Sequence, residues 1–317
     1  MADTPLVTVI IPAYNTARYI AESVESVFRQ SMCDFEAIVI NDGSPDTVAL
    51  ERALAPYHDR IRYVVQDNKG SGGARNTGLR LARGRFVAML DSDDCFHPEY
   101  LASQVSVLES DPTLDVVYPD AEMIGGQSFG QRYSLAYPVG GEITFSRVLA
   151  RECQIYGEVT ARTESLKRVG GYDENLRSGE DYDLWLRMLH AGGRIAYNDR
   201  VLAYYRVRSD SHTANGRMLA ANVIDVLDKA SRLPGLSAED VASIIRQRQE
   251  LRVGLLRSDA KIALEQGEGE LALNLLRAVA GEGTGVTLRV RGLMLGLQFA
   301  PWLTTRAYRA LRRNQEP

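Results

Sequence analysis

Short β-branched apolar runs alternate with stretches of helical spacing along the first hundred residues. Residues 6–11, Leu-Val-Thr-Val-Ile-Ile, form a nearly continuous apolar segment of the kind buried on both faces of a parallel sheet. Pro12 to Asn15 breaks it. Ile20, Val24, Val27 and Phe28 then recur at helical spacing, with Asn15 or Thr16 available as N-cap. The cycle repeats with a strand at 35–40, a turn at Asn41-Asp-Gly-Ser44, a helix at 48–57, a strand at 61–65, a helix at 71–82 and a strand at 85–90. This alternation predicts βαβ units with right-handed crossovers, and hence an α/β domain with a Rossmann-like, mainly parallel sheet flanked by helices. A helix is predicted at 100–108 and a short strand at 115–118. Residues 125–141 are glycine-rich with scattered aromatics and read as a mobile loop beside a site.

After Gly170-Gly171 and Gly179 the spacing predicts a helix at 182–189 and strands at 194–197 and 201–207. From about residue 215 the strand signal vanishes. Helices are predicted at 222–227 and 238–258, and the pair 262–265 and 271–279 around Gly267 reads as one helical hairpin, which does not establish a repeat array. The expected organisation is an N-terminal domain of residues 1–214 and a helical C-terminal region of residues 215–317.

Charge divides at the same place. The net charge of -4 conceals 22 basic and 30 acidic residues before the boundary against 15 basic and 11 acidic after it. Nucleic acid is thereby excluded as a partner of the front domain, because a phosphate polymer requires clustered Lys and Arg. Residues 288–313 mix Phe299, Trp302 and Tyr308 with arginines around Pro301. Such a segment lies on an anionic membrane surface, or packs on its own domain or on a second subunit as a homo-oligomer contact. Cys33, Cys95 and Cys153 lack C-x-x-C spacing and read as small buried hydrophobes in a reducing compartment. The first residues show no signal-peptide pattern and no apolar stretch has spanning length, so the expected location is cytoplasmic, at most peripheral at the inner face of the membrane.

The sharpest chemical signal is 86–94, Phe-Val-Ala-Met-Leu-Asp-Ser-Asp-Asp. An apolar strand delivers carboxylates to its C-terminal end, where open α/β sheets bind ligands. Side chains two apart on an extended chain share a face, so Asp91 and Asp93 can act on one polar object. Oxygen-only donors suit Mg²⁺ or Mn²⁺, which in turn hold phosphate. Pro12, Tyr14 and Asp42 end two neighbouring strands, where a nucleoside can slot; Asp42 also fits an Asx-turn. Gly70, Gly72 and Gly73 open a helix holding Arg75, an arrangement with anion-binding logic that is neither a P-loop nor a complete dinucleotide fingerprint. Arg75 could also pair an acid such as Asp67. Asp181 precedes Leu184 and Trp185 by three and four residues, which turns it to the inward or cleft side of its helix; Ser178 with Asp181 loosely fits a capping box. A helix start favours the ionised form of Asp181 while burial opposes it.

Taken in order, Ile10-Ile-Pro-Ala-Tyr-Asn15, Val39-Ile-Asn-Asp-Gly-Ser44, Asn68-Lys-Gly-Ser-Gly-Gly-Ala-Arg-Asn-Thr-Gly78, Leu90-Asp-Ser-Asp-Asp94, Val169-Gly-Gly-Tyr-Asp173 and Gly179-Glu-Asp-Tyr-Asp-Leu-Trp185 resemble inverting glycosyltransferases of family 2. The resemblance covers about residues 5–213. It implies a GT-A fold and metal-dependent transfer from a nucleotide-sugar to a hydroxyl of a saccharide or lipid-linked acceptor, in cell-surface glycan synthesis. By the same resemblance Pro12 and Asp42 contact the base beside Tyr14, with uridine favoured and guanosine or thymidine open. Asn68 and Arg75 hold the donor, Asp91 with Ser92 faces the ribose or diphosphate, Asp93 binds Mn²⁺ or Mg²⁺, and Asp181 is the general base. Arg208 stands where the family often has a His, leaving His212 or a direct Arg208–diphosphate contact as substitutes. The C-terminal region would serve acceptor choice, oligomerisation or membrane contact. Two rivals remain at this level: a sugar-phosphate nucleotidyltransferase, which should carry a G-x-G-T-R-like loop where Pro12-Ala-Tyr-Asn15 stands, and a non-catalytic sugar-nucleotide-binding scaffold.

Overall fold

The structure, a computed structural model, describes residues 4–126, 128–208, 216–282 and 287–313. Backbone proximity divides the chain into two compact units, Met1–Ala214 with Arg232–Gly235, and Asn215–Ser231 with Leu236–Pro317.

The first unit is built on a mixed eight-stranded sheet of order β3-β2-β1-β4-β7-β6-β8-β5. Its strands are β1 Val7–Ala13, β2 Phe35–Asp42, β3 Ile61–Gln66, β4 Phe86–Met89, β5 Cys95–Phe96, β6 Val116–Ile124, β7 Thr160–Arg162 and β8 Ile195–Arg206. β3, β2, β1 and β4 are parallel, joined by crossover helices, so their C-terminal ends share one edge. Val7, Val9 and Ile11 pack with Ile20, Val24 and Val27 of helix Ile20–Phe28 on one face. Ile38 and Ile40 pack with Ala74 of helix Gly70–Leu81 in a separate cluster. Helices on both faces explain why these strands read as unbroken apolar runs.

Gly78 sets how closely helix Gly70–Leu81 approaches the sheet. A Cβ there would stand 2.4 Å from Ile10 Cγ2, inside van der Waals contact. Gly78→Ala is expected to cost about 1–3 kcal/mol by overpacking, read as a lower urea midpoint at unchanged m. An unchanged midpoint would mean that the helix has slack against β1.

The second half of the sheet departs from the sequence pattern. β7 enters antiparallel between β4 and β6, and β5 pairs antiparallel with β8. With three and two residues, both are too short to leave a periodic signal. The strands expected at 194–197 and 201–207 are one strand, β8, parallel to β6. The register between them shifts on both sides of Asp120, next to Pro119, which has no N–H for the ladder. β6 thus continues to Ile124, towards the segment expected to be mobile. The Asp120 carboxylate ties part of that segment down by accepting from Arg132 Nε at 2.6 Å and from the Ser134 N–H and hydroxyl at 3.1 and 2.7 Å. Cys95 and Cys153 are buried, but Cys33 is exposed, contrary to expectation; all three are free thiols.

The second unit is helical: Gly216–Ala230, Ala238–Gln266, Gly269–Gly281, Leu288–Phe299 and Pro301–Arg313. The break expected between 258 and 262 is absent. One helix runs from a Ser237/Asp240 capping box to Gly267, where a φ of 89° stops it. Asp259, in the supposed break, is ion-paired with Arg217. Ala260, Ala263 and Leu264 pack across the hairpin on Ala272, Leu273 and Leu276. Among the described residues no helix is long and apolar enough to cross a membrane.

Candidate active site

Past Met89 the chain crosses the C-terminal edge of the parallel strands as Leu90-Asp-Ser-Asp-Asp94. Burial alternates along it: Ser92 and Asp94 are inside, while Asp91 and Asp93 are partly exposed. The Asp94 N–H donates to the Asp91 carbonyl at 3.0 Å, closing a turn, and the Ser92 and Thr16 hydroxyls meet at 2.8 Å. Pro12 lies within β1 opposite Ile40, and Tyr14 stands exposed just beyond the strand. The Asn15 N–H donates to Ser44 Oγ at 2.7 Å, joining the loops after β1 and β2.

The turn at 41–44 belongs to Asn41, whose Oδ1 accepts the Ser44 N–H at 2.9 Å. Asp42 is therefore not the turn-maker. Its Oδ1 accepts from Gln66 Nε2 at 2.6 Å and from the Lys69 N–H at 2.9 Å, fixing the carboxylate at the edge between β2 and β3. Asn68 is exposed, and its Oδ1 accepts the Gly70 N–H at 3.2 Å where helix Gly70–Leu81 begins.

Arg75, on that helix and 3% exposed, joins the two halves of the site. Its Nη2 lies 2.8 Å from Asp91 Oδ1, and its Nη1 lies 2.8 Å from Glu180 Oε1 and 3.2 Å from Asp181 Oδ1. The Tyr172 ring flanks the guanidinium at 5.4 Å. These acids, rather than Asp67, are its partners. Glu180 and Asp181 open helix Glu180–His190, whose N-cap is Gly179 at φ 78° with no side-chain cap, so the Ser178 capping box does not form. Gly72 sits where the two helices approach, a Cβ there standing 3.4 Å from Glu180 Cγ and 3.3 Å from Tyr172 Cβ.

The Asp181 side chain keeps 33% of its surface accessible and is otherwise enclosed by protein. Burial lifts its carboxyl to about 7, against the pull of Arg75 and with the help of Glu180 and Asp91. Asp93 is raised by burial and by Asp91, while Arg208, with Nη1 2.7 Å from Oδ2, pulls the other way. Arg206 donates from Nε to the Asp93 carbonyl at 2.7 Å, and both guanidiniums flank the Tyr19 ring.

Behind the turn Asp94 and Glu158 face each other as buried carboxyls. Burial and then Asp91 lift Glu158 to about 8, and burial and then Glu158 raise Asp94 well above its ordinary value. The Arg206 N–H donates to Asp94 Oδ1 at 2.7 Å, and the Asp91 N–H to Glu158 Oε1 at 3.4 Å. Sequence reasoning missed Glu158, Tyr172 and Arg206 as parts of this region. Glu158 arrives just ahead of β7, which has no periodic signal. Glu180 had a usable one, a second acid beside Asp181 at the helix start. His212 lies outside the described residues.

The family model described as glycosyl transferase family 2 matches residues 8–162. A glycosyltransferase of Rickettsia typhi is 33% identical over 221 residues, spanning 67% of this chain and 67% of that protein. The chain belongs to glycosyl transferase family 2. Chondroitin synthase of Escherichia coli is 33% identical over 206 residues, 62% of this chain but 29% of that protein. The chain spans about a third of the length of several curated relatives it matches. Among solved structures, S. aureus TarS in complex with UDP-GlcNAc superposes with a TM-score of 0.62 at 21% identity, covering 98% of this chain and 92% of that one. A mannosyltransferase of Pyrobaculum calidifontis, solved with GDP-Man and Mn²⁺, gives 0.58 at 22%, covering 98% and 85%. Both likenesses are of fold, the GT-A arrangement of sheet and helices. Membership of this family sets the chain apart from the sugar-phosphate nucleotidyltransferases weighed as a rival.

A divalent ion is implied by the family, and the donor set can be tested for it. Among the described residues no three His, Cys, Asp or Glu side chains converge as a cage. Asp91 and Asp93 do form a repelling oxygen pair, with Asp93 raised partly by Asp91. Mg²⁺-type ions are commonly bound by one or two carboxylates with substrate phosphates and water completing the shell; Asp93, paired with Arg208, and Asp91, paired with Arg75, are the residues that would hold one beside a diphosphate.

Proposed function

We propose that this glycosyltransferase performs a single inverting displacement on a UDP-sugar, transferring the sugar to a hydroxyl of a saccharide or lipid-linked acceptor. The observation that carries the reading is the Arg75 junction, which brings Asp91 of the strand edge and the cleft-open Asp181 around one guanidinium. Asp181, ionised, takes the acceptor O–H proton as that oxygen bonds to the anomeric carbon; the bond from that carbon to the diphosphate breaks, and its electron pair leaves with UDP. Pro12, Tyr14 and Asp42 receive the base, while Asn68, Asp91 and Ser92 line the ribose and diphosphate. Asp93, with Asp91, would hold Mn²⁺ or Mg²⁺, which when bound supplies positive charge against the leaving diphosphate. Arg208, already on Asp93, brings a fixed cation to the same place. The uridine assignment rests on the Asp42 position, since the solved structures of like fold hold UDP-GlcNAc in one case and GDP-Man in the other; the relative named for chondroitin synthesis supports a saccharide acceptor.

Thermal unfolding with UDP and Mn²⁺ tests donor binding. At a hundredfold excess over Kd the native state gains about 2.7 kcal/mol, a rise of several degrees in Tm. Asp93→Asn should remove the Mn²⁺-dependent part of that rise and keep the part due to UDP alone. Equal protection by GDP would remove the uridine assignment. Release of UDP from a panel of UDP-sugars, in wild type and Asp181→Asn, separates an enzyme from a scaffold.

A further inference from the structure

The last two helices of the second unit carry more apolar surface than their packing uses. On helix Leu288–Phe299, Val290, Leu293, Met294 and Leu297 pack on the core of the unit. Leu288, Leu295 and Phe299 are instead 86%, 58% and 80% exposed, and their spacing of seven and four residues sets them on one stripe. Past Pro301, Trp302 and Leu303 continue the exposed apolar surface onto helix Pro301–Arg313. Exposed apolar residues grouped on one helical hairpin mark contact surfaces, whereas single exposed apolar residues do not.

Charge indicates the occupant. Residues 288–313 contain six arginines and no acidic residue. Arg306 stands 5.2 Å from the centre of the Trp302 ring, and Arg289 and Arg291 are exposed beside Leu288. Bulky apolar and indole side chains bordered by arginines match the boundary between acyl chains and anionic headgroups. A second copy of the chain fits less well, because a two-fold contact of this face with itself would set arginine against arginine.

We propose that helices Leu288–Phe299 and Pro301–Arg313 form a docking face for an anionic lipid surface, with Leu295, Phe299 and Trp302 entering the acyl boundary and the arginines meeting headgroup phosphates. Among the described residues no helix can span a bilayer, so the contact is with the surface. A lipid-borne acceptor would then be met at high effective concentration; that consequence rests on the transferase reading, whereas the docking does not.

Flotation of the full chain with vesicles of phosphatidylcholine, with and without phosphatidylglycerol, tests this. Binding is expected only to the anionic vesicles and weakens in about 0.5 M salt. A blue shift of tryptophan emission should report Trp302, since the only other tryptophan, Trp185, is buried. Arg289→Gln, Arg291→Gln and Arg306→Gln should each lower partition about fivefold. Phe299→Ser with Trp302→Ser should abolish it while the unfolding midpoint stays in place. Absent flotation, or equal flotation with neutral vesicles, overturns the proposal. So does a dimer that the Phe299/Trp302 variant turns into a monomer, which would make the face a contact between copies. The readout needs no sugar transfer, so failure here leaves the transferase reading standing, and the reverse holds too.

Discussion

Asp181→Asn is expected to lower kcat by roughly 10²–10⁴, the range a general base supplies, with UDP protection against unfolding unchanged. The amide keeps the shape of the carboxyl and can still accept from Arg75 Nη1, while Arg75 keeps Glu180 on Nη1 and Asp91 on Nη2. Protein stability should therefore move little. The pH profile carries a second signature. A base must be ionised, and burial holds Asp181 near 7, so kcat should climb about tenfold per pH unit below that value and level off above it. The residual rate of the Asn variant should lack this limb. A variant that turns over at the wild-type rate would remove Asp181 from the chemistry, and an unchanged acid limb would assign the titration elsewhere.

Arg75→Ala is expected to cost about 3–5 kcal/mol, because Asp91, Glu180 and Asp181 would be left around a buried centre with no cation. Arg75→Lys should recover only part of it, since an ammonium cannot reach both sides of the junction through a planar fork. The sign of the pH effect follows from linkage. Without the guanidinium, burial acts on the Asp181 carboxyl with its main opponent gone, so Asp181 binds its proton more readily in the folded chain than in the unfolded one. Stability of the variant should then fall as pH rises through the raised folded value of Asp181. Urea midpoints at pH 5 and pH 8 read this directly: the gap from wild type should be widest at pH 8 and narrow towards pH 5. A gap equal at both values would mean that Arg75 serves packing rather than charge balance. Donor protection should also weaken in both variants, because Asp91 loses the partner that orients it.

Much of this was legible before folding. The parallel half of the sheet showed itself because each strand, buried on both faces, is a continuous apolar run; the acids after β4 were visible too, but a turn closed by the Asp94 N–H on the Asp91 carbonyl, not an extended chain, carries Asp91 and Asp93. The lift that burial gives Asp181 was also readable from position, but the influence that opposes it in the structure is Arg75. Other features were not. β7 is three residues long, so neither its antiparallel entry between β4 and β6 nor the arrival of Glu158 behind the turn left a pattern. Asn41 and Asp42 fit an Asx-turn equally well by residue type; only the hydrogen bonds assign the turn to Asn41 and leave Asp42 to Gln66 and Lys69. The single helix Ala238–Gln266 runs through its polar interruption, where Asp259 pairs with Arg217 and Ala260, Ala263 and Leu264 join the core of the unit.

The amino-acid sequence by itself determined the α/β class, the order of motifs that marks the family, and the delivery of carboxylates to a strand edge, because these depend on periodicity and local spacing. Tertiary structure alone decided which acids Arg75 neutralises. Glu180 and Asp181 lie more than a hundred positions along the chain from it, and only the close approach of two helices at Gly72 brings them to one guanidinium, where burial can lift a carboxyl towards neutrality.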